Sequence, residues 1–444
     1  MSRCRPVATA TLRARAVAAI MLATAVTAST TTRAAAEPAT TVVYPTSTSA
    51  TRLTGYAFDA CAAPPLATMQ AWKTASPYRG VGVYIGGVSR SCPQPNLTAA
   101  WVTATSLQGW RIIPIYVGYQ APCTRRPNVK KFTSTTAASL GTADAADAVL
   151  QAQALGMLPG SAIYGDMEHY PPADAACRTA VLSYVSAWTK ELHRLGYLAG
   201  MYANLSSGAK HLSEAYVAPA YARPDVLWMA RWDGIARLTG WAGIPNAHWS
   251  NHQRGKQYRG DHDETYGGVE INIDSDWFDA PVATVGYAYQ VTSLANLNGR
   301  SGPRTSTPIV QAYAPGATVG VVCQTAGTKV GTTSVWNKLT DGNYVSDYYV
   351  STPSNTSYSG PLPRCSYPFQ VTIPILNKRT GPGASYAISG TLPGGALGWV
   401  TCQRSGSKVG TTSVWDRLDD GTYVSDLYLA TPSTTTYSPP LPRC

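Results

Sequence analysis

The feature that most constrains this chain is a tandem repeat near its end. KVGTTSVWNKLTDGNYVSDYYVSTPS at 329–354 returns at 408–433 as KVGTTSVWDRLDDGTYVSDLYLATPS, 79 positions later. The same offset carries Leu297-Asn298-Gly299-Arg300 onto Leu376-Asn377-Lys378-Arg379, Cys323 onto Cys402 and Cys365 onto Cys444. Two copies of one small unit must fold alike, so Cys323 is expected to bond Cys365 and Cys402 to bond Cys444. Units this small bury little core, and a clamp across a loop of about 40 residues is worth roughly 3–4 kcal/mol. Runs such as Thr318–Cys323 and Tyr344–Val350 are β-rich, with turn chemistry at Asp341-Gly342 and Asp420-Gly421. Each unit reads as a small all-β barrel.

The other end reads as a secretory leader. Arg3, Arg5, Arg13 and Arg15 precede an uncharged run from Ala16 to Ala28, and Ala34-Ala35-Ala36 offers a cleavage site, which predicts a signal peptide over 1–36. The apolar run is too short to span a bilayer, and no later stretch qualifies. Loss of the leader's five arginines leaves 30 basic against 24 acidic residues, +6, a mild excess suited to work near anionic cell-wall polymers. Cys4 leaves with the leader, and the other eight of the nine cysteines are expected to form disulfides in an oxidising compartment, secreted or wall-associated. Cys61, Cys92, Cys123 and Cys177 allow three pairings. Cys61–Cys92 with Cys123–Cys177 is favoured, because loops after consecutive barrel strands are neighbours, although Cys92–Cys123 meets the same argument for one pair. No cysteine or histidine spacing suits zinc and no metal or cofactor is called for. No basic run interleaved with aromatics points to nucleic acid.

Between these ends, 44% hydrophobic and 13% charged residues exclude disorder. The predicted organisation is a linker over 37–53, a large domain over 54–280, a second linker over 281–292, and repeats over 293–366 and 367–444. Few contacts are expected to cross the stretch from 281 to 298, which makes the repeats separable. In the large domain, β-rich runs at Gly55–Asp59, Val81–Gly86, Ile112–Gly118, Ala162–Glu168, Leu198–Asn204, Val226–Arg231, near His248–Tyr258, and at Val269–Asp274 alternate with helical patterns such as Ala143–Leu155 and Ala175–Leu195. Eight βα units predict an α/β fold, a (β/α)₈ barrel of TIM type followed by two small all-β barrels. The region 208–262 supports its seventh strand mostly by count, and an open doubly wound sheet is the alternative, without a Gly-rich nucleotide loop to favour it.

Such barrels place chemistry at the C-terminal ends of their strands. Asp59 ends the first strand. Asp166 and Glu168 end the fourth, and their i, i+2 spacing puts both on one face with Met167 on the other. A lone carboxylate there often caps a helix, but two on one inward face repel, and burial with repulsion should raise the pKa of one. In VEINIDSDWFD, Glu270, Asn272, Asp274 and Asp276 share a face, of which Asn272 and Asp274 are expected to line the pocket. Tyr202 on the fifth strand, with Trp228, Trp232 and Asp233 at the sixth, could meet a sugar, although core packing explains such rings equally well.

The run GYAFD, VGVYIGG, WRIIPIYVGYQAP, IYGDMEHY, GYLAGMYAN, WMARWDG and GGVEINID, over about 54–280, resembles the family-25 lysozyme-type glycoside hydrolases. It resembles more closely a group of actinobacterial secreted glycoside hydrolase-like domains. The resemblance implies Glu168 as general acid, Asp166 as the ionised neighbour that orients a 2-acetamido group, and Asp59 as a site-lining carboxylate. Ala60-Cys61-Ala62-Ala63-Pro64-Pro65 departs from the lysozyme pattern. LNGRSGP with YVSDYYV, and LNKRTGP with YVSDLYL, resemble bacterial SH3-like domains, which implies wall binding. The expected function is hydrolysis of peptidoglycan or a related amino-sugar wall glycan, with the repeats tethering the barrel. A non-catalytic glycan-binding barrel is the alternative, and a structural or adhesive wall protein the third reading.

Overall fold

The computed structural model describes residues 49–439 and 441–444. The leader predicted over 1–36 lies outside the described residues. Eight strands close into a barrel in chain order: β1 (Thr51–Asp59), β2 (Gly80–Gly86), β3 (Arg111–Tyr116), β4 (Ala162–Met167), β5 (Leu198–Asn204), β6 (Val226–Ala230), β7 (Arg254–Tyr266) and β8 (Val269–Val282). From β1 to β7 each neighbouring pair is parallel. Helices α1 (Leu66–Ala75), α2 (Ala99–Leu107), α3 (Ala137–Ala154) and α4 (Ala175–Arg194) fill the first four crossovers. A π-helical turn, Leu205–Ala209, and the short α5 (Lys210–Glu214) fill the fifth.

The expected (β/α)₈ pattern breaks at its end. No helix is assigned between β6 and β7, and β7 turns straight into β8, which runs antiparallel to both β7 and β1. The cause is local. Tyr266 pairs with Val269, so the turn is the dipeptide Gly267-Gly268, and both glycines have positive φ, 59° and 77°. That is the left-handed geometry of a two-residue hairpin, which glycine adopts without steric cost. The eight-strand count stands, and the last strand closes the barrel as the second arm of a hairpin.

Alternate residues of the strands fill the barrel interior. Tyr164, Trp228 and Phe278 meet edge to face, with centroids 5.1–5.8 Å apart, among Leu53, Ala57, Ile113, Ile115, Leu198 and Val226. The end where the strands finish, above this plug, is open.

The C-terminal region holds two six-stranded antiparallel sheets of one strand order. The first contains β9 (Tyr287–Gln290), β10 (Leu297–Arg300), β11 (Ile309–Tyr313), β12 (Thr318–Val330), β13 (Thr333–Leu339) and β14 (Tyr344–Ser346), in the order β11-β10-β14-β13-β12-β9. The second contains β15 (Tyr367–Gln370), β16 (Ile375–Arg379), β17 (Ile388–Pro393), β18 (Leu397–Val409), β19 (Thr412–Leu418) and β20 (Tyr423–Ser425), ordered β17-β16-β20-β19-β18-β15. Four disulfides are present, Cys61–Cys92, Cys123–Cys177, Cys323–Cys365 and Cys402–Cys444.

Of the first stretch read as a linker, 37–48 lie outside the described residues. Thr51, Arg52 and Leu53 begin β1 and pair with β8, while β8 runs to Val282 and β9 pairs along β12. The boundary is not sparse in contacts. Leu397 and Trp399 of β18 are fully buried in the same apolar cluster as the barrel interior. Gln253 accepts from the Leu397 N–H at 3.1 Å, and Trp399 Nε1 donates to the Asn251 carbonyl at 3.2 Å. The equivalent positions of the first repeat, 79 residues earlier, are Thr318 and Gly320, so only the second copy carries the apolar pair that stoppers the barrel.

Candidate active site

The open end of the barrel is a cavity of about 590 Å³ lined by Asp59, Tyr84, Arg126, Asp166, Glu168, Tyr202, Trp228, Trp232, Gln257 and Asp274 among others. Its carboxylates come from three strands. Asp59 ends β1 and is buried; Asp166 sits one residue before the end of β4, Glu168 one beyond it, and buried Met167 between them faces the helices. Pairing of Asp59 with Asp274 in the β1–β8 ladder brings the fourth carboxylate opposite the first.

Gln257 of β7 is the hub. Its Nε2 donates to Asp59 Oδ2 at 2.9 Å and to Asp274 Oδ2 at 3.0 Å, while its Oε1 accepts from Tyr202 Oη and Trp232 Nε1, each at 2.9 Å. Tyr84 Oη donates to the other oxygen of Asp59 at 2.8 Å. The buried Gln120 clamps the main chain at the end of β4, accepting from Glu168 N at 2.9 Å and donating to the Asp166 carbonyl at 2.7 Å. The Cys123–Cys177 bond ties the loop after β3 to the first turn of α4, and that loop presents Arg126, which forms an ion pair with Glu168.

Burial dominates the electrostatics. It pushes the Asp59 carboxyl up to about 7, helped by the charge of Asp274. Asp166 is raised further above the ordinary carboxylate range, by burial first and by Glu168 second, and its Oδ1 is enclosed without a hydrogen-bond partner in the protein. Burial also raises Glu168, but Arg126 opposes that rise. Burial therefore raises both carboxyls of the pair, and Arg126, in contact with Glu168, offsets part of the rise there. Asp276, on the same face of β8, is fully buried beneath the cavity, accepts from Trp228 Nε1 at 2.9 Å, and is raised by burial and by Asp59.

Of the residues expected to bind substrate, Tyr202, Trp232 and Asp274 line the cavity together with Trp228. Asn272 lies farther out, on an extension of the same mouth beside Cys61, Cys92 and Asp261, and donates to Asp263 Oδ1 at 2.9 Å. Asp233 is not among the lining residues. Beyond β6 the chain turns away from the mouth, and Asp233 accepts from the buried Lys256 Nζ at 2.6 Å and from Ile235 N at 3.0 Å, closing its own loop. Three participants escaped the sequence reading, Tyr84, Arg126 and Gln257, while Asp276 was placed on the shared face of its strand but not in the pocket. Tyr84 carried a usable signal, because it sits two residues before the end of β2, but Arg126 belongs to an irregular loop and Gln257 to the strand least defined in the sequence.

The family model described as "Rv2525c-like, glycoside hydrolase-like domain" matches residues 70–278. A 90-residue segment is 34% identical to the uncharacterized protein YraI of Bacillus subtilis (strain 168), covering 18% of this chain and 76% of YraI. Among solved structures, the Mycobacterium tuberculosis Tat-secreted protein Rv2525c in complex with L-tartrate is similar at 16% identity, covering 51% of this chain and 96% of that one, with a TM-score of 0.37. The modular autolysin LytC of Streptococcus pneumoniae matches at 15% identity over 51% of this chain and 47% of its own, TM-score 0.35. The Clostridium perfringens spore cortex lytic enzyme SleM matches at 10% identity over 83% and 95%, TM-score 0.37. Residues 70–278 thus match the model of an Rv2525c-like, glycoside hydrolase-like domain, and through its YraI-like segment the chain belongs to the family of YraI.

Proposed function

We propose that the barrel hydrolyses a glycosidic bond in peptidoglycan or a related amino-sugar glycan of a cell wall, outside the cell, and that the C-terminal repeats, as SH3-like modules, hold it there. The observation that carries this reading is the convergence of Asp59, Asp166, Glu168 and Asp274 on one cavity edged by Tyr202, Trp228 and Trp232. Glycoside hydrolysis needs a proton donor beside an anionic partner, and the aromatic edges offer faces for sugar rings. Glu168 is the proposed acid. It reaches solvent at the cavity wall and would deliver its proton to the departing oxygen once substrate displaces Arg126. Asp166, with its unpartnered buried oxygen, is proposed to meet the acetamido group next to the reacting carbon. The four disulfides suit an oxidising exterior, and among the described residues no helix is long and apolar enough to cross a membrane.

A second reading, a glycan-binding barrel without turnover, is favoured by one observation: Arg126 already occupies Glu168 and opposes the rise that burial gives it. Incubating the protein with intact walls and reading soluble fragments by mass spectrometry separates the two. A hydrolase releases fragments, and Glu168→Gln lowers their rate by roughly 10²–10⁴-fold with the melting temperature unchanged. Wall binding without release of fragments by the unaltered protein overturns the hydrolase reading.

A further inference from the structure

At the opposite end of the barrel from the carboxylates, a cleft of about 720 Å³ runs between the strand starts and both repeats. Six arginines line it: Arg52, Arg111, Arg304, Arg364, Arg417 and Arg443. Arg52 is neutralised by Asp419. Among the described residues, none of the other five has a side-chain carboxylate within ion-pair distance. Arg111 donates to Tyr287 Oη and the Pro361 carbonyl, and Arg304 donates to the Arg443 carbonyl and to a main-chain carboxylate oxygen of Cys444, which occupies it.

Arg364 and Arg443 are the same residue of the two repeats, and both are built into place. Cys365 and Cys444, the next residues, are tied by disulfides to Cys323 and Cys402. Backbone bonds from Gln324 N to the Pro363 carbonyl and from Cys365 N to the Gln324 carbonyl, 2.8 and 2.9 Å, bracket Arg364. Gln403 with Pro442 and Cys444 repeats them around Arg443 at the same distances. Each guanidinium then lies over the ring of a tyrosine six residues earlier, Arg364 over Tyr358 and Arg443 over Tyr437. The motif Tyr-Ser-x-Pro-Leu-Pro-Arg-Cys thus presents one preorganised fork per repeat, and both open on one cleft. A guanidinium held this way loses little side-chain entropy on meeting an oxyanion and can bind it through two parallel N–H groups.

We propose that this cleft binds a linear acidic wall polymer with one oxyanion per repeating unit, with Arg364 and Arg443 as paired anchors and Arg417, in the same lining, adding charge. The assignment rests on the reading that the chain works at a cell wall, and it gives the repeats a ligand chemistry distinct from the glycan in the barrel. Nucleic acid fits less well. Base stacking needs open aromatic faces, and the two tyrosines of the motif are covered by their own arginines.

The test uses the leaderless full chain and fluorescence anisotropy with three labelled probes: poly(glycerol phosphate), polygalacturonate and a single-stranded oligodeoxynucleotide. Binding of either acidic wall-type polymer supports the proposal, and which of the two binds tighter names phosphodiester or carboxylate as the oxyanion. Affinity should fall linearly on a log–log plot against salt, and Arg364→Gln/Arg443→Gln should lose at least about tenfold while flattening the slope by about 1.5–2. Arg417→Gln, which disturbs neither clamp, should weaken binding by a smaller factor at an unchanged melting temperature. Failure of both acidic polymers to bind at low salt, equal binding by the double variant with its melting temperature retained, or tighter binding of the oligodeoxynucleotide overturns the proposal. Release of wall fragments is measured on the same preparations. Polymer binding without hydrolysis would remove the hydrolase reading and leave the cleft, whereas hydrolysis without polymer binding would do the reverse.

Discussion

Arg126 is paired with Glu168 across the mouth of the barrel, on a loop whose position is set by the Cys123–Cys177 bond. A cation that close favours the carboxylate, so Arg126→Gln should move the Glu168 titration midpoint up. Carboxyl-carbon NMR on the protein reads this directly. If Glu168 is the acid of a turnover reaction, the alkaline limb of its pH profile should move up with it. A midpoint that stays in place in the variant would mean that burial alone governs Glu168.

Trp232 is more than half exposed, yet it is held at the cavity edge by its bond to Gln257 and by the bare backbone of Gly260 beneath it. A Cβ at Gly260 would come within 2.2 Å of the indole. Gly260→Ala should therefore push the ring away from Gln257 and weaken binding of soluble wall fragments by a few-fold to about tenfold, the scale of one aromatic contact. Isothermal titration with those fragments tests this, with Trp232→Ala as the reference loss. Equal affinity for the glycine variant and the unaltered chain would remove Trp232 from the binding surface.

How much of this was legible in the chain depends on how local each cause is. Seven of the eight strands announced themselves by apolar runs between helical patterns, the seventh being inferred mostly from the count, and Asp166, Met167 and Glu168 by the period of two that any strand imposes. Gly267-Gly268 was also readable as a hairpin between two alternating runs, but the expectation of a helix in every crossover obscured it. Asp233 misled because strand-end position says where a residue stands in the chain, and one further turn of loop carried its side chain to Lys256. Gln257 and Arg126 were beyond reach, since their roles exist only once β7 and the β3 loop are brought to β1 and β4.

The contact between Trp399 and the barrel predicts that the repeats are not a detachable tail. Trp399→Ala removes a fully buried indole and opens a void in the apolar cluster that includes Leu53 and Val282, which should cost about 3–5 kcal/mol. Gly320→Trp, placing the same ring at the equivalent position of the first repeat, should not compensate, because that repeat does not face the barrel interior. Differential scanning calorimetry should show the barrel transition falling in Trp399→Ala and in a chain ended near Ala288. A truncated chain that melts like the full one would show that the barrel needs no stopper.

The two repeats differ at one buried position in a way that sets their response to pH. In the first, Asn337 Nδ2 donates to Asp347 Oδ1 at 2.8 Å, and Gln324 Nε2 donates to Asn337 Oδ1 at 2.9 Å and Asp347 Oδ1 at 3.0 Å. In the second, the same place holds Asp416 beside Asp426, with Gln403 Nε2 donating to Asp416 at 2.8 Å and to Asp426 at 2.9 Å. Two carboxylates enclosed together must share a proton. Burial and Asp426 raise Asp416 well above the ordinary range, and burial lifts Asp426 to about 6. Because these folded-state values lie above those of the unfolded chain, the folded state binds protons more tightly. The stabilisation is complete below about pH 4, the unfolded carboxylate range, and drains away as pH rises through about 6 and beyond. Asp416→Asn rebuilds the arrangement of the first repeat and removes one of the titrating groups. It should raise the stability of the second repeat at pH 8 by roughly 1–3 kcal/mol, change it little at pH 4, and flatten the slope between. Asn337→Asp should impose the opposite behaviour on the first repeat. Melting curves recorded from pH 4 to pH 8 on the two variants and the unaltered chain provide the check, and parallel curves for Asp416→Asn and the unaltered chain would show that the pair stays ionised without penalty.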